Sequence, residues 1–291
     1  MRRCICLLLT AVILPLAASA SAAEMPVRFA DVLALQTRGP DLALRYGSAS
    51  SQTAALWLPV GQGSLPRPVI VLVHGGCWLK DYSAEHTYSL AAQLASDGYA
   101  VYVPEYRRVG EAGGGWPGTA ADLVRALDKL ATLDYPQLSL SRTLLVGHSA
   151  GGHLALWLAG REAELVQPPL KIVAAVGLAA ITDLDAYARG DNSCQTVTPR
   201  FMGASPDAAA ARYREASPAR RPLRVRTWLL HGNADPIVGA EQLHAMSGAR
   251  IVTLEAAGHF DWIHPETPAY KVLLETLFDA LSESMRTEAR L

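Results

Sequence analysis

A chain of 291 residues, 50% apolar and 18% charged, has globular composition and can bury roughly 75% of its unfolded surface without help from a metal or a disulfide. Lys plus Arg number 26 against 27 for Asp plus Glu, a net charge of −1, and no basic run stands out. That balance argues against a nucleic-acid binder.

The first element is amino-terminal. Arg2 and Arg3 precede an apolar stretch over residues 4–14 that only Thr10 interrupts; Pro15 ends it, and residues 17–23 are almost all small. Ala18-Ser19-Ala20 and Ala20-Ser21-Ala22 both satisfy the small-x-small rule for signal peptidase. The apolar stretch is shorter than the ~20 residues a helix needs to cross a bilayer. Residues 1–23 therefore read as a secretory signal, leaving residues 24–291 as one exported domain, periplasmic or extracellular, without a membrane span. Of the four cysteines, Cys4 and Cys6 fall in that segment. Cys77 and Cys194 remain as an even pair, and a bridge or two buried thiols are both open.

Strand and helix patterns then alternate. Residues 54–58 read as a short edge strand. Residues 69–73 (VIVLV) form a continuous β-branched run, the pattern of a strand covered on both faces. A helix pattern over 83–96 ends at Asp97-Gly98, where glycine supplies a left-handed cap. Residues 99–103 read as a strand, Gly113-Gly114-Gly115-Trp116 as a flexible turn, and Pro117 as a helix start followed by Leu123, Leu127 and Leu130 at helical spacing. Residues 143–146 read as a strand, and a helix opens near Ser149. Three further strands fall at 172–178, 227–230 and 251–254, and a last helix at 267–283. Such alternation predicts an α/β fold, a mostly parallel twisted sheet with helices on both faces. The rhythm fails between residues 183 and 222, which read as a small cap-like insertion over one end of the sheet.

Gly147-His148-Ser149-Ala150-Gly151 fits G-x-S-x-G. It gains weight from its setting between a strand and a helix, where a sharp turn exposes the serine hydroxyl and needs small neighbours. A serine hydroxyl needs a base, itself oriented by a carboxylate. Of the eight histidines, His259 stands just after the strand at 251–254, at the active-site end of the sheet. His231 reads as a structural turn residue, His148 and His153 as packing groups beside the serine, and His86, His244 and His264 as surface or capping residues. Asp235 follows the strand at 227–230 and is favoured as the acid on the chain order Ser…Asp…His. Asp183 and Asp261 are its rivals. His74-Gly75-Gly76-Cys77-Trp78 follows the strand at 69–73. Its glycines free the backbone, so the Gly75-Gly76-Cys77 loop, through the N–H groups of Gly76 and Cys77, joins Ala150 N–H as a candidate oxyanion hole.

With these residues in place the chain resembles the α/β-hydrolase superfamily. It looks most like the branch with an HGG-type oxyanion motif, which includes hormone-sensitive-lipase-like esterases and kynurenine formamidase-like enzymes. The resemblance covers about residues 43–281 and rests on five stretches: His74-Gly75-Gly76-Cys77-Trp78, Glu105-Tyr106-Arg107, the GHSAGG elbow, His231-Gly232-Asn233-Ala234-Asp235 and Gly258-His259-Phe260. It implies the roles already given to Ser149, Asp235 and His259, with no metal or organic cofactor and a small ester or amide as substrate. Cys77 departs from the glycine usual in the lipase-like esterases and is closer to the formamidase side. Amide hydrolysis is thus the main rival to ester hydrolysis, with an exopeptidase and a non-catalytic binding protein further behind. Trp78, Trp116, Tyr187 and Phe201, with Met202 and Tyr213, are candidates for the substrate pocket or, equally, for anchors of the insertion.

Overall fold

In the computed structural model, residues 25–61 and 65–288 are described; the expected signal segment at 1–23 lies outside them. Eight strands make one sheet: β1 (Leu42–Arg45), β2 (Thr53–Trp57), β3 (Arg67–Val73), β4 (Ala100–Pro104), β5 (Leu138–His148), β6 (Ile172–Leu178), β7 (Arg226–Gly232) and β8 (Arg250–Leu254). Their order is β1-β2-β4-β3-β5-β6-β7-β8. β1 and β2 run antiparallel, and the ladder from β4 through β8 is parallel.

The inner strands β3, β5 and β6 carry apolar side chains on both faces because helices cover both. On one face Leu123, Leu127 and Leu130 of the helix Gly118–Ala131 pack with Leu154 and Leu158 of the helix Ala150–Ala159. On the other, Leu90 and Leu94 of Tyr88–Ser96 join Leu273 and Leu277 of Pro268–Glu288. Each such leucine, removed from water, contributes roughly 2 kcal/mol. Gly98, at φ +95°, ends the helix Tyr88–Ser96 in the left-handed conformation.

The strand expected at the edge is β2, and it lies one place in from the edge, between β1 and β4. β1 pairs outside β2, from Leu42↔Leu56 to Arg45↔Thr53, and only four residues of weak in-out alternation announce it. Residues 183–222 lie between β6 and β7 and form short helical turns: Leu184–Tyr187, Gln195–Val197, Thr198–Met202, Ala210–Ala216 and Pro218–Arg220. Trp116 is not on a loose turn. Its N–H donates to Phe201 O at 2.8 Å, and a Cβ on Gly114 would come within 1.8 Å of Arg108 O. Among the described residues no helix is long and apolar enough to cross a membrane.

Candidate active site

The parallel strands deliver the expected residues to one end of the sheet. Ser149 sits between β5 and the helix Ala150–Ala159 at φ 56°, ψ −121°, a region costly for any residue with a Cβ. The surroundings hold it there. Its N–H donates to Leu178 O on β6 at 2.9 Å, and its carbonyl accepts from His153 N at 3.1 Å. The turn closes only because its flanks are glycine: a Cβ on Gly147 would stand 2.2 Å from Gly151 O, and one on Gly151 would stand 2.2 Å from the carbonyl oxygens of Val73 and His74.

His259 Nδ1 donates to Asp235 Oδ2 at 2.7 Å. The other oxygen of Asp235 accepts from Ile237 N at 2.8 Å and Val238 N at 3.0 Å. Burial works to raise the Asp235 pKa, but the bond and charge of His259 and the two N–H groups outweigh it and hold the carboxyl below its ordinary value. The two rival aspartates are committed elsewhere. Asp183 caps the turn Leu184–Tyr187 and pairs with Arg220 at 2.7 Å. Asp261 accepts from Gly258 N at 2.9 Å and Val27 N at 3.0 Å through one oxygen.

His148 lies under His259, ring centroids 4.6 Å apart, and its Nε2 donates to His259 O at 2.9 Å. Burial, then the nearby charge of His259, pushes its pKa well below the ordinary value, so it acts as a neutral strut. His153 ties the elbow helix to the insertion through Nε2 to Ala216 O at 2.9 Å.

On the opposite wall the loop after β3 runs through Gly76, Cys77 and Trp78, all at positive φ. A Cβ on Gly75 would come 2.8 Å from His148 O and 3.1 Å from Ser149 Cβ, so Gly75 is the point where this loop presses on the elbow. Among the described residues nothing accepts from the N–H groups of Gly76, Cys77 or Ala150. Glu105 braces the loop: its carboxylate meets His74 Nε2 at 2.9 Å and accepts from Ala84 N at 2.9 Å and Arg108 Nη1 at 3.1 Å. Burial opposes its ionisation, yet His74, Arg108 and the Tyr106 N–H hold its pKa at about 2. Cys77 and Cys194 are joined as a disulfide, Cα atoms 5.2 Å apart, which fastens the loop after β3 to the insertion.

Ser149 and His259 open into one cavity of about 130 Å³, with Gly76 and Cys77 on its floor. Ser149 Oγ has no hydrogen-bond partner among the described residues. The walls are Phe29, Tyr82, His86 and Phe260, with Ser193 and Ile237 closing the remaining side. None of the aromatic residues expected in the pocket is among them. Trp78 and Phe201 stack on each other at 4.5 Å in the core, and Trp116 packs edge-on against Trp157 at 5.0 Å. Tyr187 is buried with its hydroxyl on Ile237 O at 3.1 Å. They anchor the insertion, as do buried Met202 and Tyr213. His86, expected at the surface, is 6% exposed and forms part of the cavity wall.

A strained serine between a parallel strand and a helix, with a His-Asp pair delivered by the last two strands of the same sheet, defines the α/β-hydrolase class. The profile of the BD-FAE family matches residues 56–249, and the chain belongs to that family of hormone-sensitive-lipase-like α/β-hydrolase esterases. Esterase LipC of Mycobacterium tuberculosis is 26% identical over 241 residues, covering 74% of this chain and 58% of that protein. A triacylglycerol lipase of the same organism is 34% identical over 87 residues, covering 30% of this chain and 19% of its own length. The chain thus spans less than two thirds of the length of either relative. Among solved structures, esterase B from Lactobacillus rhamnosis superposes with a TM-score of 0.72 at 21% identity, over 90% of this chain and 93% of that one. A truncated carbohydrate esterase from gut microbiota superposes with a TM-score of 0.69 at 18% identity, over 84% of this chain and all of its own. At such identities these two structures share the fold.

Proposed function

We propose that the chain is a serine hydrolase of small carboxylic esters. The observation that carries this is the His259–Asp235 bond at 2.7 Å, facing the same cavity as the strained Ser149. Family membership and the esterase names of the relatives support it. Ser149 Oγ attacks the ester carbonyl carbon while His259 Nε2 takes its proton. Asp235, ionised and fixed by two backbone N–H groups, holds the imidazole in the tautomer with Nδ1 protonated and stabilises the imidazolium that forms. The oxyanion accepts from the N–H groups of Gly76, Cys77 and Ala150, helped by the positive end of the elbow helix. His259 then protonates the departing alcohol, and a water activated by the same residue releases the acid.

Residues 183–222 serve as a small cap on a single domain spanning 24–291, contributing Ser193 to the cavity wall. The disulfide and the amino-terminal pattern together support export to an oxidising compartment; Edman sequencing of the exported protein is expected to start near residue 24, and a retained Met1 would refute processing. The central test is hydrolysis of short p-nitrophenyl esters by wild type and Ser149→Ala, with N-formylkynurenine in parallel. Ester turnover is expected to fall at least about a thousandfold in the variant. Deformylation faster than ester cleavage would shift the substrate class to amides, and an active Ser149→Ala would remove the nucleophile.

A further inference from the structure

We propose that Phe29 is the residue that sets how large a substrate group the cavity admits, and that the segment from Pro26 to Leu33 is a fixed strap across the site. The inference rests on the ester-hydrolase reading and sharpens it toward short-chain substrates. Phe29 is half-buried and lies outside the core clusters. Its ring centroid is 5.5 Å from Tyr82, 5.6 Å from His86 and 5.4 Å from Phe260. Tyr82 and His86 belong to the stretch that leaves the oxyanion loop, whereas Phe260 follows His259. One ring therefore spans the two walls between which the substrate must lie, and all four residues line the cavity that holds Ser149 and His259.

The strap is built to keep that ring in place. Val32 is 3% exposed and seated in the core that includes Trp262 and Ile263. Val27 N–H donates to Asp261 Oδ2 at 3.0 Å, the same oxygen that takes Gly258 N–H at 2.9 Å. A Cβ on Gly258 would come 2.6 Å from Pro26 Cβ. Asp261 thus latches the strap to the loop that carries His259. Within the strap, Arg28 and Asp31 close the first turn of the helix Phe29–Leu33 with paired hydrogen bonds at 2.7 and 3.0 Å.

Size decides what such an arrangement admits. The cavity holds about 130 Å³, well under the ~300 Å³ at the lower end for sites that enclose drug-sized ligands. With Ser149 and the oxyanion loop on its floor, what remains fits a short chain, and Phe29 is a large wall residue on a segment that carries none of the reacting groups. Removing the ring lengthens the cavity without touching the reacting groups.

The test compares kcat/KM for p-nitrophenyl acetate, butyrate, hexanoate and octanoate across wild type, Phe29→Ala, Phe29→Leu and Phe29→Trp, each checked for a cooperative thermal transition. A parallel series of acetate esters of lengthening alcohols covers the leaving-group side. Pocket discrimination of a methylene runs to about tenfold or more. Phe29→Ala is expected to raise the long-to-short ratio at least about tenfold in one series, Phe29→Leu less in the same direction, and Phe29→Trp is expected to lower it. Ratios within about twofold of wild type in both series, or a uniform fall for every ester, would overturn the size-setting role. Wild type with no Ser149-dependent turnover of any ester would overturn the hydrolase reading and this inference with it.

Discussion

Ser149 and His259 reach the cavity from the carboxyl ends of parallel strands, with Asp235 behind His259; Ser149 and Asp235 are anchored to backbone carbonyls of β6 and β7, through Leu178 O and Gly232 O. Phe29, Tyr82, His86 and Ser193 reach it from segments that the sheet does not order, and these are held by side chains and by a disulfide. The floor is thus specified locally, in short stretches where glycine and a polar residue must be neighbours. The roof is specified by contacts between residues far apart in the chain. Changes in the floor should act on chemistry at little cost to folding, and changes in the roof should act on stability or on substrate choice.

Asp235→Asn is the sharpest test of the floor. An amide can still sit at 2.7 Å from His259 Nδ1, but it holds the ring in the wrong tautomer, and a fall in kcat of about 10⁴ is expected. That is about 5 kcal/mol of barrier, while the urea midpoint should move little. Comparable loss on Asp261→Asn with Asp235→Asn silent would transfer the acid role.

The largest effect in the roof is expected from the Cys77–Cys194 bridge, which closes a loop of sequence separation 117. Removing it with Cys194→Ser should cost about 3 kcal/mol of stability, read as a lower denaturant midpoint at unchanged slope. Oxidised and reduced wild type with the same midpoint would show that the bridge constrains nothing. Cys194 belongs to the roof and Cys77 to the floor, so this variant also asks whether the two regions are coupled. Loss of ester turnover beyond the loss of folded protein would mean that they are.

How far the site could be read from the sequence follows the same division. The elbow, the His-Gly-Gly loop after β3 and the His259–Asp235 pair are legible because each falls within a few positions at a strand end that apolar periodicity marks. β1 was not visible because Leu42–Arg45 offers only four residues of weak alternation. His86 was misplaced because Glu85 and Thr87 give it polar neighbours in sequence, whereas in space Phe29 and His74 cover it. Trp78, Trp116, Tyr187 and Phe201 looked like pocket residues because large apolar groups near a site serve packing and binding alike; only tertiary contacts separate the two. Phe29 carries no local signal at all, since a short helix near the amino terminus has no motif.

Burial of histidine around the site gives a prediction that joins the two regions. Burial is the main cause that lowers His148, His86 and His153 from the ordinary 6.5, the last two to about 3 and about 4. As pH falls below 6.5 the unfolded chain binds protons at these positions and the native chain does not. Stability must therefore fall with pH between about 6.5 and 4, by up to about 1.4 kcal/mol per pH unit for each histidine. Asp235, whose pKa is lowered in the fold, adds stability that is present above its unfolded value of about 4 and lost only below it. Losses at pH 5 thus belong to the histidines. A urea midpoint that stays constant from pH 7 to pH 5 would contradict their neutral burial.

The smallest effect is expected at Asp183, and it separates two aspartates that the sequence made rivals. Both follow strands and both reach the same end of the sheet, yet Asp183 spends one oxygen on the N–H groups of Asp185 and Ala186, at 3.1 and 3.3 Å, and the other on Arg220 at 2.7 Å. Arg220 is half exposed, its side chain 53% accessible, so that pair contributes little beyond the cap. Asp183→Asn keeps a capping oxygen and loses the charge; Asp183→Ala loses both. The first should cost a few tenths of a kcal/mol and the second about 1 kcal/mol, with kcat/KM for short esters unchanged in each. A fall in kcat for Asp183→Asn as large as that for Asp235→Asn would mean that the cap helps to align His259 and that roof and floor form a single unit.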